Sequence, residues 1–213
     1  MEKVIEIDGE PLKKIAKALS RLPKELNPAI ASAVNKTMDS AVTQIKKEVA
    51  KEYTVKQKDI AKAIVKKRAT TSNLTAAAIA EGGQVALYKF KHTPIEPPKS
   101  LGIGVNSYKQ PVKAQVKKGG SKKVVKNKVG NKAFIRTFHG NHMIFARKGK
   151  NRYPIEKLFA LSIPQMISDK NDSKGSIKRI KARTNEMLEK KVEQEINYRL
   201  DKVSKQALKR AGL

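Results

Sequence analysis

The side chains of this sequence that could bind a ligand lie mainly in one long positively charged segment. Residues 97–155 include no Asp or Glu but fifteen Lys or Arg. Side-chain cations without neighbouring carboxylates attract phosphates, and each phosphate that they neutralise releases bound counterions. The segment therefore predicts a salt-sensitive surface for a polyanion. The candidate contact residues are Lys117, Lys118, Lys122, Lys123, Lys126, Lys128, Lys132, Arg147, Lys148 and Lys150.

The residue types in this segment also indicate how a polyanion would be contacted. Lysines outnumber arginines, and Lys presents a point charge where Arg presents a planar fork that can pair with a base edge. Few aromatic residues interleave with the cations, which argues against stacking on single strands. We therefore predict sequence-nonspecific contact with DNA or acidic proteins rather than base recognition.

The histidines do not form a convincing metal-binding pattern. His139 and His142 have the spacing of metal ligands, but no acidic residue lies within ten positions of either. A metal site needs three or four converging ligands held by further hydrogen bonds. We therefore interpret His92, His139 and His142, the only three histidines, as hydrogen-bonded residues, and we predict no metal and no cofactor.

The acidic residues have the arrangement of solvated helix faces rather than of a catalytic cluster. Most of the nineteen alternate with lysines at helical spacing, as Glu186 does with Lys190. A nuclease would need clustered carboxylates to hold Mg²⁺, and the basic segment has none. Serine hydrolase and nucleotide-binding signatures are also absent, so we predict that the protein is not an enzyme and has no catalytic residues.

Composition limits the environment and the partners of the chain. The absence of Cys excludes disulfides, thiolate nucleophiles and Cys-ligated zinc, and it fits assembly in a reducing cytoplasm. A formal charge of +28 over 213 residues would make a compact monomer repel itself unless a polyanion offset it. Acidic residues occupy the N-terminal stretch and no apolar run approaches about 20 residues, so we expect neither a signal peptide nor membrane insertion.

The N-terminal third predicts mainly helices. Val4–Ile7 has strand composition, and helical periodicity follows from Glu10 to Leu22. A second helix of about 23 residues is predicted from Asn27, with Pro28 in its first turn. A third helix is predicted from Thr54, capped through Gln57 and continuing through Ile64 and Val65. The buried stripe of the second helix is predicted to consist of Ile30, Val34, Met38, Ala41, Ile45 and Val49.

The rest of the chain predicts strands followed by one helix. Strand patterns occupy residues 74–80, 85–90, 112–116, 123–129 and 153–163, and residues 134–138 and 143–147 form a hairpin about residues 139–142. A long helix follows from Ile177. The fold class is therefore α+β: N-terminal amphipathic helices, a central mostly antiparallel sheet with a basic hairpin, and a long C-terminal helix. We expect a single domain, 1–213, with parts 1–68, 69–167 and 172–213.

One string ends the basic segment and carries a family resemblance: Gly149, Lys150, Asn151, Arg152, Tyr153, Pro154 and Ile155. The string follows the hairpin directly. An amphipathic helix that contains Val34–Lys36 and Ala41 comes earlier in the chain, and a long basic helix comes after the string. This order resembles the minor tail protein Z family of long-tailed bacteriophages and prophages, over roughly Ala29 to Leu200. The loop at residues 91–110 is longer than the corresponding loop in the family pattern.

The resemblance implies a structural virion protein at the head-proximal end of the tail, in the neck. Such a protein completes the tail and supports head–tail joining and DNA passage, after assembly in the host cytoplasm. The resemblance implies a homo-oligomeric ring of six subunits beside neck, tail-terminator or tail-tube proteins, with no catalytic residues. The motif would then be structural: Pro154 fixes a backbone angle, and Tyr153 buries its ring while its hydroxyl stays bonded.

Two alternatives remain open at the level of sequence. The charge pattern also suits a free cytoplasmic protein that binds nucleic acid without sequence preference, of the ribosomal or nucleoid type. A Mg²⁺-dependent nuclease is the third possibility, although the sequence supplies no cluster of acids for the metal.

Overall fold

The computed structural model describes residues 2–8, 23–97, 111–138, 140–168 and 174–210. The protein is an α+β protein, as the sequence predicts, with helices and exclusively antiparallel strand pairs among the named strands. The strands are β1 (Glu2–Asp8), β2 (Ile64–Lys67), β3 (Thr75–Ala80), β4 (Gln84–Ala86), β5 (Lys91–Thr93), β6 (Lys113–Gln115), β7 (Lys123–Val124), β8 (Phe134–Phe138), β9 (Asn141–Arg147), β10 (Ile155–Lys157) and β11 (Phe159–Ser162). The helices are α1 (Pro23–Glu52), α2 (Gln57–Lys62), α3 (Ile163–Ile167), α4 (Ser176–Ala182) and α5 (Thr184–Arg210).

The chain divides into two compact units, each built from separate stretches of sequence. Unit 1 comprises Met1–Glu48, Lys62–Glu81 and Ile167–Leu213, and unit 2 comprises Val49–Ala61 and Gly82–Met166. The strands form four small sheets rather than the single central sheet that the sequence predicts. Among the described residues, each sheet has two or three strands, and most of the strands are only two to five residues long.

Unit 1 contains a three-stranded sheet in the order β1-β3-β2. The strand predicted over Val4–Ile7 is confirmed as part of β1, in which Ile5 and Ile7 are buried while Glu6 is exposed. Four of the six residues of the central strand β3 are alanine, and Ala76, Ala78 and Ala80 are fully buried. Small side chains on this strand let other elements pack closely against the sheet.

Helix α1 supplies much of the apolar core. The predicted stripe of Ile30, Val34, Met38, Ala41, Ile45 and Val49 is confirmed, because each of these side chains is at most 1% exposed. The predicted start of the helix is wrong: it begins at Pro23, and Pro28 lies inside it rather than in its first turn. Pro23 is suited to the first position because its missing N–H would have no helical partner there. The helix predicted from Glu10 lies outside the described residues.

The segment after α1 is not the continuous helix that the sequence predicts from Thr54 through Ile64 and Val65. Helix α2 ends at Lys62, and Ile64 and Val65 belong to β2, which pairs with β3. The predicted capping box is wrong as well. The Thr54 hydroxyl donates to Gln115 O and accepts from Lys91 N at 3.1 Å, so it connects this segment with β5 and β6 instead of capping a helix.

The C-terminal helical region is confirmed, with a break that its periodicity does not show. Arg183 separates α4 from α5, and the buried Thr184 hydroxyl donates to Ile180 O at 3.0 Å. A hydroxyl that returns to the preceding turn commonly bends a helix. The buried face continues through both helices as Ile177, Ile180, Leu188, Val192 and Ile196. Contacts with α1 include Gln44 Nε2 to Met187 Sδ at 3.6 Å.

Unit 2 contains three small antiparallel sheets, in the orders β10-β9-β8, β11-β4 and β5-β6-β7. The predicted hairpin is confirmed as β8 and β9, but its loop is shorter than expected. Phe138 pairs with Asn141, so Asn141 and His142 belong to β9. Gly140 has a φ of 73°, a left-handed conformation that glycine adopts without steric cost.

Two other predicted strands of unit 2 are shorter than expected. The strand predicted over residues 85–90 ends at Ala86, and Leu87–Lys89 forms a 3-10 helix. The strand predicted over residues 123–129 ends at Val124 and is followed by one isolated bridge, between Lys126 and Lys132. The extended segment before Pro164 is confirmed as β10 and β11, and Pro164 lies in the first turn of α3.

Candidate polyanion-binding surface

Eight of the ten predicted contact residues are exposed and have no carboxylate partner. Within the described ranges, no salt bridge involves any of them. Their ammonium and guanidinium groups are therefore available to a polyanion. These residues are Lys118, Lys123, Lys126, Lys128, Lys132, Arg147, Lys148 and Lys150.

The other two predicted residues have partners inside unit 2. Lys117 Nζ lies 3.2 Å from Glu52 Oε1 and 5.5 Å from the centre of the buried Tyr53 ring. The hydrogen bond to Glu52 and the proximity of Tyr53 raise the pKa of Lys117. Lys122 donates to the Thr93 hydroxyl and is half-buried. Lys117 is therefore mainly a structural residue, because its charge is already offset.

The charge of unit 2 is much less balanced than that of unit 1. Its sequence contains 21 Lys or Arg and only four Asp or Glu, a formal charge of +17. Two of the four acids, Glu52 and Asp59, already pair with Lys117 and Lys89. Unit 1 contains 26 basic and 15 acidic residues. The excess positive charge of the chain is thus concentrated in unit 2.

The segment Lys126–Lys132, which we call the lysine turn, brings two of the predicted cations face to face. Lys126 and Lys132 are direct antiparallel partners in an isolated bridge. Directly opposed residues have Cβ atoms about 4.5–5.5 Å apart, and like charges there are destabilising. Gly130 has a φ of 90° and donates its N–H to Asn127 O at 3.0 Å, which closes the turn between the two lysines.

Two asparagines fix the lysine turn in place. Asn127 Nδ2 donates to Arg147 O and to Glu156 Oε1, each at 2.9 Å. Asn131 Nδ2 donates to Arg147 O at 2.8 Å and to Gly149 O at 3.2 Å. The backbone N–H of Asn131 donates to Asn127 Oδ1 at 2.8 Å. These bonds join the lysine turn to the segment that carries Arg147, Lys148 and Lys150.

Sequence reasoning missed the role of Asn127 and Asn131. Asn and Gly together indicate a turn, and that signal is present at residues 127–131. The partners of the two side chains lie 16 to 29 residues further along the chain, however, and no local pattern identifies them.

The family motif forms an exposed loop next to the lysine turn. Lys148 N donates to Pro154 O at 2.9 Å, which closes the loop, and the Tyr153–Pro154 peptide bond is cis. The prediction that Tyr153 buries its ring is wrong, because the residue is 54% exposed. Its hydroxyl is bonded as predicted, since Arg136 Nη1 donates to it at 3.2 Å. The hydrogen bond and charge of Arg136 lower the pKa of Tyr153.

The structure brings some predicted contact residues together and leaves others apart. Lys126, Lys128 and Lys132 on the lysine turn are bonded through the asparagines to the segment of Arg147, Lys148 and Lys150. Lys117 is instead tied to Glu52, and Lys118 N donates to Glu52 O at 2.7 Å. Lys123 is the first residue of β7, and Lys122 directly precedes it. No side-chain hydrogen bond among the described residues joins these four lysines to the lysine turn, although Lys123 lies only three positions before Lys126 in the chain.

The described histidines are hydrogen-bonded residues. His92 Nδ1 donates to Phe90 O at 2.7 Å, and His142 Nδ1 lies 3.0 Å from the Thr137 hydroxyl. His139 lies outside the described residues. Across the described ranges, no three His, Asp or Glu side chains come together as a metal site. Nor does any helix in those ranges have the length and apolar character to cross a membrane.

Comparison with known proteins yields one family assignment. The model of the family described as prophage minor tail protein Z (GPZ) matches residues 11–206, which is most of the chain. No curated protein and no solved structure matches. The matched range includes α1, the lysine turn, the motif loop and nearly all of α5. The chain therefore belongs to the prophage minor tail protein Z family.

Proposed function

We propose that this protein is a structural component of the phage neck, at the head-proximal end of the tail. There it completes the tail and supports the joining of the tail to a DNA-filled head. Membership of the minor tail protein Z family supports a role in the phage tail. The position in the neck and the contact with DNA are the parts that we add.

The observation that carries the contact with DNA is the set of eight exposed cations without carboxylate partners in the described ranges. A surface made mainly of lysines binds a phosphate backbone without reading its sequence. DNA that must enter and leave through a tail needs such contacts, because sequence-specific hydrogen bonds would hold it at particular sites. Diffuse charge allows the duplex end to be held and still to move.

The proposed assembly is a ring of six copies around the DNA path, in contact with tail-terminator or tail-tube proteins. A closed ring lets every copy present the same cationic surface to the duplex. The phosphate charges would offset the repulsion among copies that each have a formal charge of +28. The role requires only positioning and electrostatic attraction, so no bond-making step and no cofactor belong to it.

Electron microscopy of tails purified from the phage tests this placement directly. A copy of the protein fused to a small rigid tag is expected to give additional density at the head-proximal end of the tail. The same tag on a known tail-tube subunit serves as the positional control. Density at the distal end, or no protein in purified tails, would overturn the proposal.

The alternative role, a free nucleic-acid-binding protein of the cytoplasm, is separated by fractionation of infected or induced cells. A neck component is expected to co-sediment with tails and particles after DNase treatment. A free nucleic-acid-binding protein would leave the particle fraction once the nucleic acid is digested. Recovery only in the DNase-released fraction would favour the alternative.

A further inference from the structure

We propose that the lysine turn is a phosphate-binding site for duplex DNA, and that Asn127 and Asn131 are the residues that position it. The inference deepens the proposed function and rests on its placement of DNA beside this chain. It assigns the contact to one substructure rather than to the basic segment as a whole. It also assigns a role to two uncharged residues.

The first argument is the unfavourable pairing of Lys126 with Lys132. The two residues are direct cross-strand partners, both are exposed, and neither has a carboxylate partner in the described part of the chain. Like charges in this position destabilise a pairing. A phosphate between the two ammonium groups would attract both of them and offset their repulsion. The free energy gained on binding an anion should therefore be larger at this turn than at an isolated lysine.

The second argument is that the turn is held rigidly in this unfavourable arrangement. Asn127 and Asn131 together make four side-chain hydrogen bonds to Arg147 O, Gly149 O and Glu156 Oε1. A site fixed before binding loses less conformational freedom when the ligand arrives. The same bonds position Arg147, Lys148 and Lys150 beside the turn, which extends the cationic surface along a phosphate backbone.

The third argument concerns the kind of anion. A second copy of this chain is a poor occupant, because both units of the chain have an excess of basic residues. The lysine turn contains no aromatic ring, so it offers no platform for the bases of a single strand. Duplex DNA has one negative charge per about 1.7 Å of helix axis, which suits a surface of closely spaced lysines.

Titration of a fluorescein-labelled 20-base-pair duplex with the full-length protein at several salt concentrations tests the proposal. The double variant Lys126→Ala/Lys132→Ala is expected to weaken binding about tenfold at 50 mM salt. It is also expected to reduce the slope of log K against log salt by about 1.8, the value for two lost phosphate contacts. The matched control is Lys56→Ala/Lys58→Ala, which removes the same charge from two exposed lysines of unit 2.

A positioning role of the asparagines makes a separate prediction. Asn127→Ala/Asn131→Ala leaves the charge unchanged, yet it is expected to weaken binding at least threefold and to reduce the salt slope. The lysine variant should at the same time be no less stable than the unmodified protein in low salt, because it relieves a like-charge pairing. Lower stability of the lysine variant would mean that the lysines are structural and would overturn the site.

Two further outcomes would overturn the proposal. Equal losses of affinity in the lysine variant and its control would show that only total charge matters. Competition by poly-glutamate as effective as that by unlabelled duplex would indicate an acidic protein partner instead of DNA. Tail localisation by microscopy is independent of these titrations, so failure of the phosphate site and failure of the proposed neck position remain distinguishable.

Discussion

Lys117 shows how one lysine of the basic segment can serve the fold instead of a ligand. Its ammonium group lies between the Glu52 carboxylate and the face of the Tyr53 ring. Tyr53 is fully buried, and burial raises the pKa of its phenol. Its hydroxyl has no well-aligned hydrogen-bond partner in the described residues, although the nearby Lys117 partly counteracts the rise in its pKa. Lys117 therefore covers a buried aromatic residue and neutralises an acid at the end of α1.

We predict that Lys117→Ala lowers the free energy of unfolding by about 1 kcal/mol. The loss combines a partly exposed ion pair and a cation–π contact, each of which contributes about 0.5–1 kcal/mol. Urea denaturation followed by circular dichroism measures the change. Lys128→Ala is the control, because Lys128 is exposed without a carboxylate partner, and it should change stability by less than about 0.5 kcal/mol. Equal effects of the two substitutions would contradict the structural role of Lys117.

Glu195 makes the stability of unit 1 depend on pH. Burial alone would raise the pKa of this carboxyl, but hydrogen bonds from Lys36 and Ser32, with attraction to Lys36 and Arg199, outweigh burial and lower the pKa. A lowered pKa in the folded state means that the ionised carboxylate stabilises the fold above its unfolded pKa of about 4.3. That contribution disappears as the pH falls through the folded pKa.

The substitution Glu195→Gln tests this dependence. At pH 7 it is expected to lower the stability of the protein, because the partly buried contact with Lys36 loses the charge of its carboxylate. As the pH falls below about 4.3, the difference between the variant and the unmodified protein should shrink. Denaturation midpoints measured from pH 7 to pH 3 provide the comparison. A difference that stays constant over this range would show that the charge of Glu195 does not contribute.

At the level of elements, Thr54 connects the end of α1 with two strands of unit 2. Its hydroxyl serves Gln115 O and Lys91 N, and its own N–H donates to Val116 O at 2.9 Å. Tyr53 also forms an isolated bridge with Lys117. The chain that leaves α1 is therefore held against β6 by backbone bonds and by one hydroxyl.

We predict that Thr54→Val lowers the free energy of unfolding by roughly 1–2 kcal/mol. Valine keeps the shape of the side chain but leaves the Gln115 carbonyl and the Lys91 N–H without the hydroxyl partner. Thr43→Val is the matched control, because the Thr43 hydroxyl is exposed and bonds only the preceding turn, at Asp39 O. Its effect should remain below about 0.5 kcal/mol. If both valines have the same effect in urea denaturation, Thr54 does not have the proposed role.

How well the sequence predicts each element depends on how local its cause is. The stripe of α1 follows from periodicity within one element and the strand β1 follows from local composition, so both are predicted correctly. The sequence at Ile64 and Val65 is compatible with a helix and with a strand. Only the pairing with β3 decides in favour of the strand. The break at Arg183 lies beside the Thr184 hydroxyl that donates to Ile180 O, and a hydrophobic repeat shows neither the break nor the bond.

The candidate site is predictable in composition but not in geometry. Among the described residues, eight of the ten predicted contact residues are exposed without a carboxylate partner, and their contact with a polyanion stays a prediction. The opposition of Lys126 to Lys132 and the bonds of Asn127 and Asn131 need the folded chain. Lys117 has the same residue type as its neighbours, and only its position beside Glu52 distinguishes it. The extent of the single domain expected from sequence stays a prediction.

For the whole molecule, charge sets how stability responds to salt. With a formal charge of +28, the chain has a large excess of cations over the acids that could pair with them, and their mutual repulsion opposes the compact state. The Debye length falls from about 30 Å at 0.01 M to about 10 Å at 0.1 M, so added salt screens repulsion between distant charges.

We therefore predict that the protein becomes more stable as salt is added. Between 0.01 M and 0.2 M NaCl the free energy of unfolding should rise by about 1 kcal/mol, seen as an increase of about 2–4 °C in Tm. Thermal unfolding in NaCl and in KCl should give the same increase if screening is the cause. Sucrose at equal osmolality is the uncharged control. A Tm that falls with salt would mean that attractive ion pairs dominate.

The division of the chain into discontinuous units has a consequence for synthesis on the ribosome. Unit 2 ends at Met166, so all of its residues exist before the chain is finished. Unit 1 draws on both the first residues and the last stretch, from Ile167 to Leu213. The apolar surfaces of its earlier stretches stay uncovered until the stretch from Ile167 has been made, and a nascent chain with exposed apolar surface is a substrate for chaperones and a risk for aggregation. Synthesis of the stretch from Ile167 onward thus decides when unit 1 can complete its core.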